Sequence, residues 1–362
     1  MRSVRKLKSS TSSYAMAIAR SQRAKESFIL TCSLLALANC GGGGGGSSPS
    51  VAQNNVGSSK TGTVIKGPLH NALVFADYNN DGVLSSGEPS TRTLADGSFT
   101  LVSTVPSANL VSISDSQTVD TFTGQAVSGV KLKAPGGSTV ITPATTILAE
   151  IRETSPSTSA SEVATALGLQ GVDLQNFNPF EAGVDSNIAL AAEKVASQII
   201  STVTSISAAA EGAGANQNTA YDKAVSAVTS AVVKEINDGN ASDSISLTDT
   251  VVLSEIKDEA KTQLASDVNS ASAFEKVLDK GIVAAENVNE KIDTAQNLTD
   301  NKSKAIFSLN SQLSSQVLAA SQNESAGAGS SSVNFEQASS VDSAVDTTTV
   351  AISSSSGGGG GG

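Results

Sequence analysis

The chain has 362 residues, a formal net charge of −11, 39% hydrophobic and only 3% aromatic residues, no Trp, one His and two Cys. A single imidazole leaves His70 as the one possible base of a Ser-His-Asp triad, and two thiols with one imidazole cannot close a His/Cys zinc cage. The apolar residues are largely Ala and Val, so the expected core is thin helical packing or a small β-sandwich rather than a wide globule.

The first forty residues read as an address. Arg2, Arg5, Lys6, Lys8, Arg20, Arg23 and Lys25 precede an apolar run, Phe28 to Ala38, that is too short to span a bilayer. Two endings compete. Ala36-Leu37-Ala38 fits ordinary signal-peptidase cleavage before Asn39, whereas Leu37-Ala38-Asn39-Cys40 is similar to a bacterial lipobox in which Cys40 becomes the lipidated N-terminus. The run Gly41 to Gly46 followed by Ser47-Ser48-Pro49-Ser50 favours the second, because a flexible tether carries an anchored domain clear of the headgroups. The expected localisation is therefore a lipid-anchored outer membrane or cell surface, with plain secretion as the alternative. Met16 gives a leader of more ordinary length than Met1 and is an alternative start. Cys32 leaves with the leader, so the mature chain is expected without a disulfide. Residues 1–39 hold seven of the 23 basic residues and one of the 34 acids, so the rest carries −17. That charge argues against nucleic acid and against electrostatic attachment to anionic lipid, and it suits divalent cations.

From Thr61 to about Val140, after a tether over 40–60, short β-like runs alternate with turn residues. Val64-Ile65, Ala72 to Phe75, Ser98 to Val102 and Leu110 to Ile113 read as strands, and Asp96-Gly97 as a hairpin-type turn. The spacing predicts a small antiparallel β-sandwich over 61–142. Within it, Asp77-Tyr78-Asn79-Asn80-Asp81-Gly82-Val83-Leu84-Ser85-Ser86-Gly87-Glu88 fits a twelve-position calcium loop. Asp77, Asn79 and Asp81 stand at positions 1, 3 and 5, and Gly82 makes the turn at position 6. Val83 offers its carbonyl at position 7, Ser85 a hydroxyl or a bound water at position 9, and Glu88 a bidentate carboxylate at position 12. Leu84 is expected as an apolar plug. An oxygen-only set with three carboxylates selects calcium over transition metals. The preceding residues are β-like and Pro89 follows at once, so no helix-opening EF-hand sensor is expected.

Residues 63–102, with Lys66-Gly67-Pro68-Leu69-His70-Asn71-Ala72, the loop itself and Ala95-Asp96-Gly97-Ser98-Phe99, resemble exported bacterial modules of the transthyretin-like, carboxypeptidase-regulatory-like class. They are also similar to the calcium-binding B-type repeats of bacterial surface adhesins. The resemblance implies a sandwich used as a stalk or adhesive module, rigidified by calcium. His70 is expected at the surface or in packing, not as a catalyst.

Thr142 can N-cap a helix with Pro143 at its first position, and Ser159 or Ser161 can start a short helix ending near Gly168, giving a helical connector over 143–185. From Asn187 the period becomes helical. Five apolar stripes follow: Ile188, Ala192, Val195, Ile199, Val203, Ile206; then Tyr221, Val225, Val228, Val232, Ile236; then Leu253, Ile256, Ala260, Leu264. Phe274, Leu278, Gly281, Ala285, Val288, Ile292 form the fourth, and Ile306, Leu309, Leu313, Val317 the fifth. Narrow stripes of Ala and Val suit an antiparallel or coiled-coil-like bundle over 186–322. Residues 323–362 are Ser/Ala/Gly-rich and expected to be disordered, with at most a strand at Thr347 to Ile352; the six closing glycines read as a spacer or as a linker to further chain.

The fold class expected is thus α+β multidomain, a small sandwich followed by an Ala-rich bundle with disordered Gly/Ser ends. The expected function is a non-catalytic, surface-anchored structural or adhesive lipoprotein. Its cofactor is calcium, its anchor is the membrane through lipidated Cys40, and its protein or surface-polymer partner is unspecified. The alternatives are an envelope-polymer hydrolase using paired carboxylates and a periplasmic helical ligand-binding protein.

Overall fold

A computed structural model describes residues 57–238, 244–328 and 332–356; the leader, Cys40, the tether and the closing glycines lie outside them. The fold is α+β, with short strands first and helices after. The strands are β1 (Ser58–Val64), β2 (Leu69–His70), β3 (Leu73–Asp77), β4 (Ser90–Arg92), β5 (Ser98–Ser103), β6 (Asn109–Ile113), β7 (Val119–Asp120), β8 (Gln125–Ala126), β9 (Lys131–Ala134) and β10 (Val140–Ile141). They form three small sheets with orders β10-β1-β5, β2-β7-β8 and β4-β3-β6-β9.

One pairing departs from the antiparallel expectation: β10 runs parallel to β1, with Thr63 opposite Val140 and Val64 opposite Ile141. The long excursion between those strands lets the chain return in the same direction, which a tight turn could not do. β1 also begins earlier than the Val64-Ile65 run, because Ser58 to Thr63 pair residue by residue along β5. In β5 the alternation reads as expected, with Phe99 and Leu101 buried and Val102 exposed. β3 does not alternate. Val74, Phe75 and Ala76 are all fully buried, because the strand is interior to its sheet and covered on both faces.

The helices are α1 (Pro143–Thr154), α2 (Ala160–Ala166), α3 (Ser186–Gly212), α4 (Gln217–Asp238), α5 (Thr250–Leu264), α6 (Ala271–Asp293), α7 (Asn301–Phe307), α8 (Leu309–Ser325) and α9 (Ala338–Ser356), with a 3₁₀ turn at Asn334–Glu336. Thr142 caps α1 by accepting the Thr145 N–H, with Pro143 at its first position. Of the two serines that could start α2, Ser159 does so, in a reciprocal capping box with Glu162. The Thr-Thr pair of α1 also finishes the edge of β9. Lys133 N–H donates to Thr146 Oγ1 at 2.9 Å, and Thr145 Oγ1 donates to Lys133 O at 2.8 Å. The helix thereby supplies the hydrogen bonds that an edge strand lacks.

Three expectations for the helical half are corrected. α3 is not a one-stripe helix: Ile188 is exposed, while Ala196 to Ala210 are buried all round. Its serines and threonines tolerate this because their hydroxyls bond back to the helix, as Thr202 does to Gln198 O and Thr204 to Ile200 O. The fifth expected helix is two, α7 and α8, broken at Ser308. The tail expected as disordered or a strand is helical through α9. There Val333, Phe335, Val341 and Val345 are buried, and Asn287 Nδ2 donates to Phe335 O at 2.8 Å. Few apolar residues suffice because they recur on one face, while Ser343, Thr347 and Thr349 satisfy their hydroxyls on carbonyls four residues back.

The described residues belong to one compact unit. A continuous apolar core runs from Val64, Leu101 and Leu132 through Ile147 and Leu148 to Val203, Val228, Leu278 and Leu313.

Candidate metal centre

The twelve-residue loop leaves the end of β3 and returns just before β4. Asp77, the last residue of β3, pairs with Asn109 of β6 and is 3% exposed, so the first ligand position is fixed by the sheet. Gly82 and Asn80 take left-handed backbone conformations, φ 68° and 58°, which fold the segment back on itself. Gly82 N–H then donates to Asp77 Oδ2 at 2.8 Å. Asn80 is tied to the sheet by Asn109 Nδ2 at 2.9 Å.

The other expected ligand side chains are oriented by backbone donors of the loop itself. Asp81 N–H reaches Asn79 Oδ1 at 3.1 Å, and Val83 N–H reaches Asp81 Oδ1 at 2.8 Å. Glu88 closes the loop: Oε1 accepts Tyr78 N–H and Oε2 accepts Ser85 N–H, both at 2.8 Å. Ser85 Oγ lies 3.4 Å from Val83 O, so positions 7 and 9 are adjacent. Asn79 Nδ2 donates to Asp81 Oδ2 at 2.8 Å, which joins positions 3 and 5. One oxygen stands apart. Asp77 Oδ1 is buried and has no hydrogen-bond partner. A buried carboxylate oxygen left this way is costly unless something positive meets it.

The three carboxylates do not by themselves make a cluster. Among the described residues no three His, Cys, Asp or Glu side chains stand close enough to hold a metal ion. The donor set depends equally on Asn79, Ser85 and the Val83 carbonyl, and neutral oxygens of this kind suit a hard cation of flexible coordination. The residue types and their order along the loop are those a calcium ion takes, and the buried, unpartnered Asp77 Oδ1 is compatible with a cation there. Leu84 corrects the expectation of an apolar plug: it is 37% exposed. His70 is exposed on β2, opposite Val119.

Two cations, unnoticed in the sequence, back the loop. The Lys131 ammonium lies 3.4 Å from where a Cβ on Gly82 would stand, with Lys133 beside it. Lys131 pairs with Asp222 of α4 at 2.7 Å, and Lys133 pairs with Glu150 and Glu153 of α1 at 3.4 and 3.3 Å. Burial works to lower the Lys133 amine, but the surrounding Glu150, Glu153 and Asp222 carboxylates more than offset it and hold the amine above its ordinary value. Both lysines sit on β9, 43 or more residues beyond Glu88, so no local spacing pointed to them. The loop is thus linked through two ion-paired lysines to the helices.

The chain matches no known family model, and no curated protein and no solved structure is significantly similar to it. Among the described residues no helix is long and apolar enough to cross a membrane.

Proposed function

We propose that this chain is a non-catalytic, exported structural or adhesive module, lipid-anchored through Cys40 and rigidified by calcium in the loop from Asp77 to Glu88. On this reading the β region is a sandwich of the transthyretin-like class and the helices that follow are an Ala-rich bundle bearing on it. The observation that carries it is the loop geometry: every side-chain position expected to ligate is already oriented by the backbone, and Asp77 Oδ1 is buried without a partner. Calcium, when bound, would be held by Asp77, Asn79, Asp81, the Val83 carbonyl, Ser85 and Glu88, and it supplies charge neutralisation between β3 and β4. The anchor and localisation rest on the leader and Cys40, which lie outside the described residues.

An isolated extracellular loop of this kind binds calcium with a dissociation constant on the order of 10⁻⁴–10⁻³ M. Ten millimolar-scale calcium should therefore stabilise the chain by about 1–3 kcal/mol, read as a melting temperature a few degrees higher than in chelator. Asp81→Ala should abolish that rise, and an unchanged calcium response in the variant would defeat the assignment. Palmitate labelling that persists in Cys40→Ser would defeat the anchor.

A further inference from the structure

One end of the β region gathers the chain entry, apolar tips and segments without charge. β3 ends at Asp77 and β6 begins opposite it at Asn109, so the metal loop and the β5–β6 turn lie at the same end. Ser58 opens β1 opposite Ser103, the last residue of β5, which brings the start of the described chain there as well. Tyr78, second in the loop, ties these parts together: its hydroxyl lies 3.2 Å from both Ser103 Oγ and Thr104 Oγ1. Gly57 is so close to Val102 that a Cβ on it would stand 2.7 Å from Val102 Cγ1. The turn after β9 joins the same end, where Gly136 N–H donates to Asn109 Oδ1 at 3.2 Å.

Single exposed apolar side chains are ordinary on a protein surface. Here four of the nine large ones exposed among the described residues share one end: Val83 (51%), Leu84 (37%), Val102 (58%) and Val105 (38%). Once residues 1–39 are set aside the chain carries −17, yet residues 41–59, 102–109 and 134–139 hold no charged side chain. Behind the loop, Asp222, Glu150 and Glu153 are paired with Lys131 and Lys133. The loop itself supplies the carboxylates Asp77, Asp81 and Glu88, whose charge calcium, when bound, would offset. A second copy of so acidic a chain is opposed as a partner by like charge. A phospholipid surface, with apolar depth just beneath polar headgroups, suits apolar tips of this kind.

We propose that this end docks on the bilayer that carries the acyl chains of Cys40, with Val83, Leu84 and Val105 set into its headgroup region. The inference rests on the anchor at Cys40 proposed above. Gly57 follows Cys40 by 17 residues, so even a fully extended link holds this end within about 60 Å of the surface. Tethering makes the contact intramolecular, so an apolar contact too weak to hold a free protein suffices. It also gives the second attachment that a lipid anchor needs to be lasting. The opposite end, marked by exposed Leu94 just before β5, then faces away from the bilayer.

The test uses the mature chain, residues 40–362, which keeps every described residue, has Cys40 as its one thiol and contains no Trp. Coupling Cys40 to a maleimide-headgroup lipid in phosphatidylcholine vesicles replaces the acyl anchor, so the outcome does not depend on lipidation in the cell. Leu84→Trp and, outside the metal loop, Val105→Trp each place one indole at the docking end. Leu94→Trp places one at the opposite end, and circular dichroism checks that each variant is folded. On coupling, the emission of the first two should move to shorter wavelength and fall by about half when the acyl chains are brominated, with Leu94→Trp unchanged. That result, in calcium alone or in chelator as well, supports the docking. Unchanged emission from both Leu84→Trp and Val105→Trp, or equal quenching of Leu94→Trp, overturns it. The same wavelength shift in uncoupled protein at rising concentration, without vesicles, assigns the surface to a second copy and also overturns it. A melting temperature that rises with calcium while both indoles stay unquenched overturns the docking and leaves the metal loop standing. Palmitate labelling of Cys40→Ser decides the anchor separately.

Discussion

Glu193 shows how one residue couples burial to pH. Its carboxyl stands at about 8 against an ordinary value of 4.5, because burial penalises the charged form and the Asp120 charge adds to it. Folding therefore favours the protonated acid: the stability it contributes is complete below pH 4.5 and is lost as pH rises toward 8. Urea denaturation should show wild-type stability falling by about 2–4 kcal/mol between pH 5 and 8 relative to Glu193→Gln. Parallel profiles for the two proteins would show that Glu193 ionises freely in the fold. At this scale legibility followed sequence distance. The loop from Asp77 to Glu88 is proposed from the sequence because its candidate ligands lie within twelve positions and each residue type has a reason to stand where it does. The partners Lys66–Asp120 and Gly67–Glu193 are 54 and 126 positions apart, and nothing local marks them. Lys66 reads as a surface lysine beside a Gly-Pro turn until β7 and α3 are placed against it.

At the scale of elements, helix starts were legible and helix environments were not. Thr142 announces α1, and Ser159 or Ser161 announces α2 with Ser159 proving to be the cap, because a cap is a contact between neighbours in sequence. Whether a helix is buried on one stripe or all round depends on what else arrives. α3 is crossed by α4, α6 and α8, so its serines become interior: Ser197 receives Asn310, and Ser201 donates to Asn289, which also reaches Leu247 O at 2.7 Å. Those small side chains let backbones approach closely, most of all at the end of α3. A Cβ on Gly212 would stand 2.4 Å from Ser321 Cβ and 2.9 Å from the Gln322 backbone nitrogen. Gly212→Ala is therefore expected to destabilise by about 1–3 kcal/mol in chemical denaturation, against the gain that helix propensity alone predicts for Ala. A stabilised variant would mean that α3 and α8 do not touch there. The same rule explains the tail. Its composition suggested no core, but Phe335, Val341 and Val345 need only a receiving surface, which α6 and α7 provide.

For the whole molecule, the boundary drawn in the sequence between β region and helices is crossed by structure of every kind. The backbone crosses it where Thr139 and Val140 N–H both donate to Gln175 O. Charge crosses it in Lys131–Asp222 and in Lys133 with Glu150 and Glu153. The Gly67–Glu193 hydrogen bond crosses it in the buried layer, and the apolar core is continuous through it. Strands as short as β2, β7, β8 and β10 have little chance of independent stability, and sheets of three or four such strands depend on a helix to cover their faces. Composition could mark the change from β-like to helical periodicity, but a change of period does not mark a change of core. The described residues are accordingly expected to melt in one cooperative transition that coincides by near- and far-ultraviolet circular dichroism. A fragment ending at Thr142 should remain largely unfolded, because Leu132, Ala134 and Ile141 lose the cover of α1 and Gly67 loses Glu193. Two separated transitions, or a folded fragment with native strand signals, would show instead that the sheets and helices are energetically distinct and merely adjacent. Coupling of this kind also sets the reach of the proposed calcium site: in a single cooperative unit, a calcium ion bound in the loop would raise the melting temperature of the helices as much as that of the sheets.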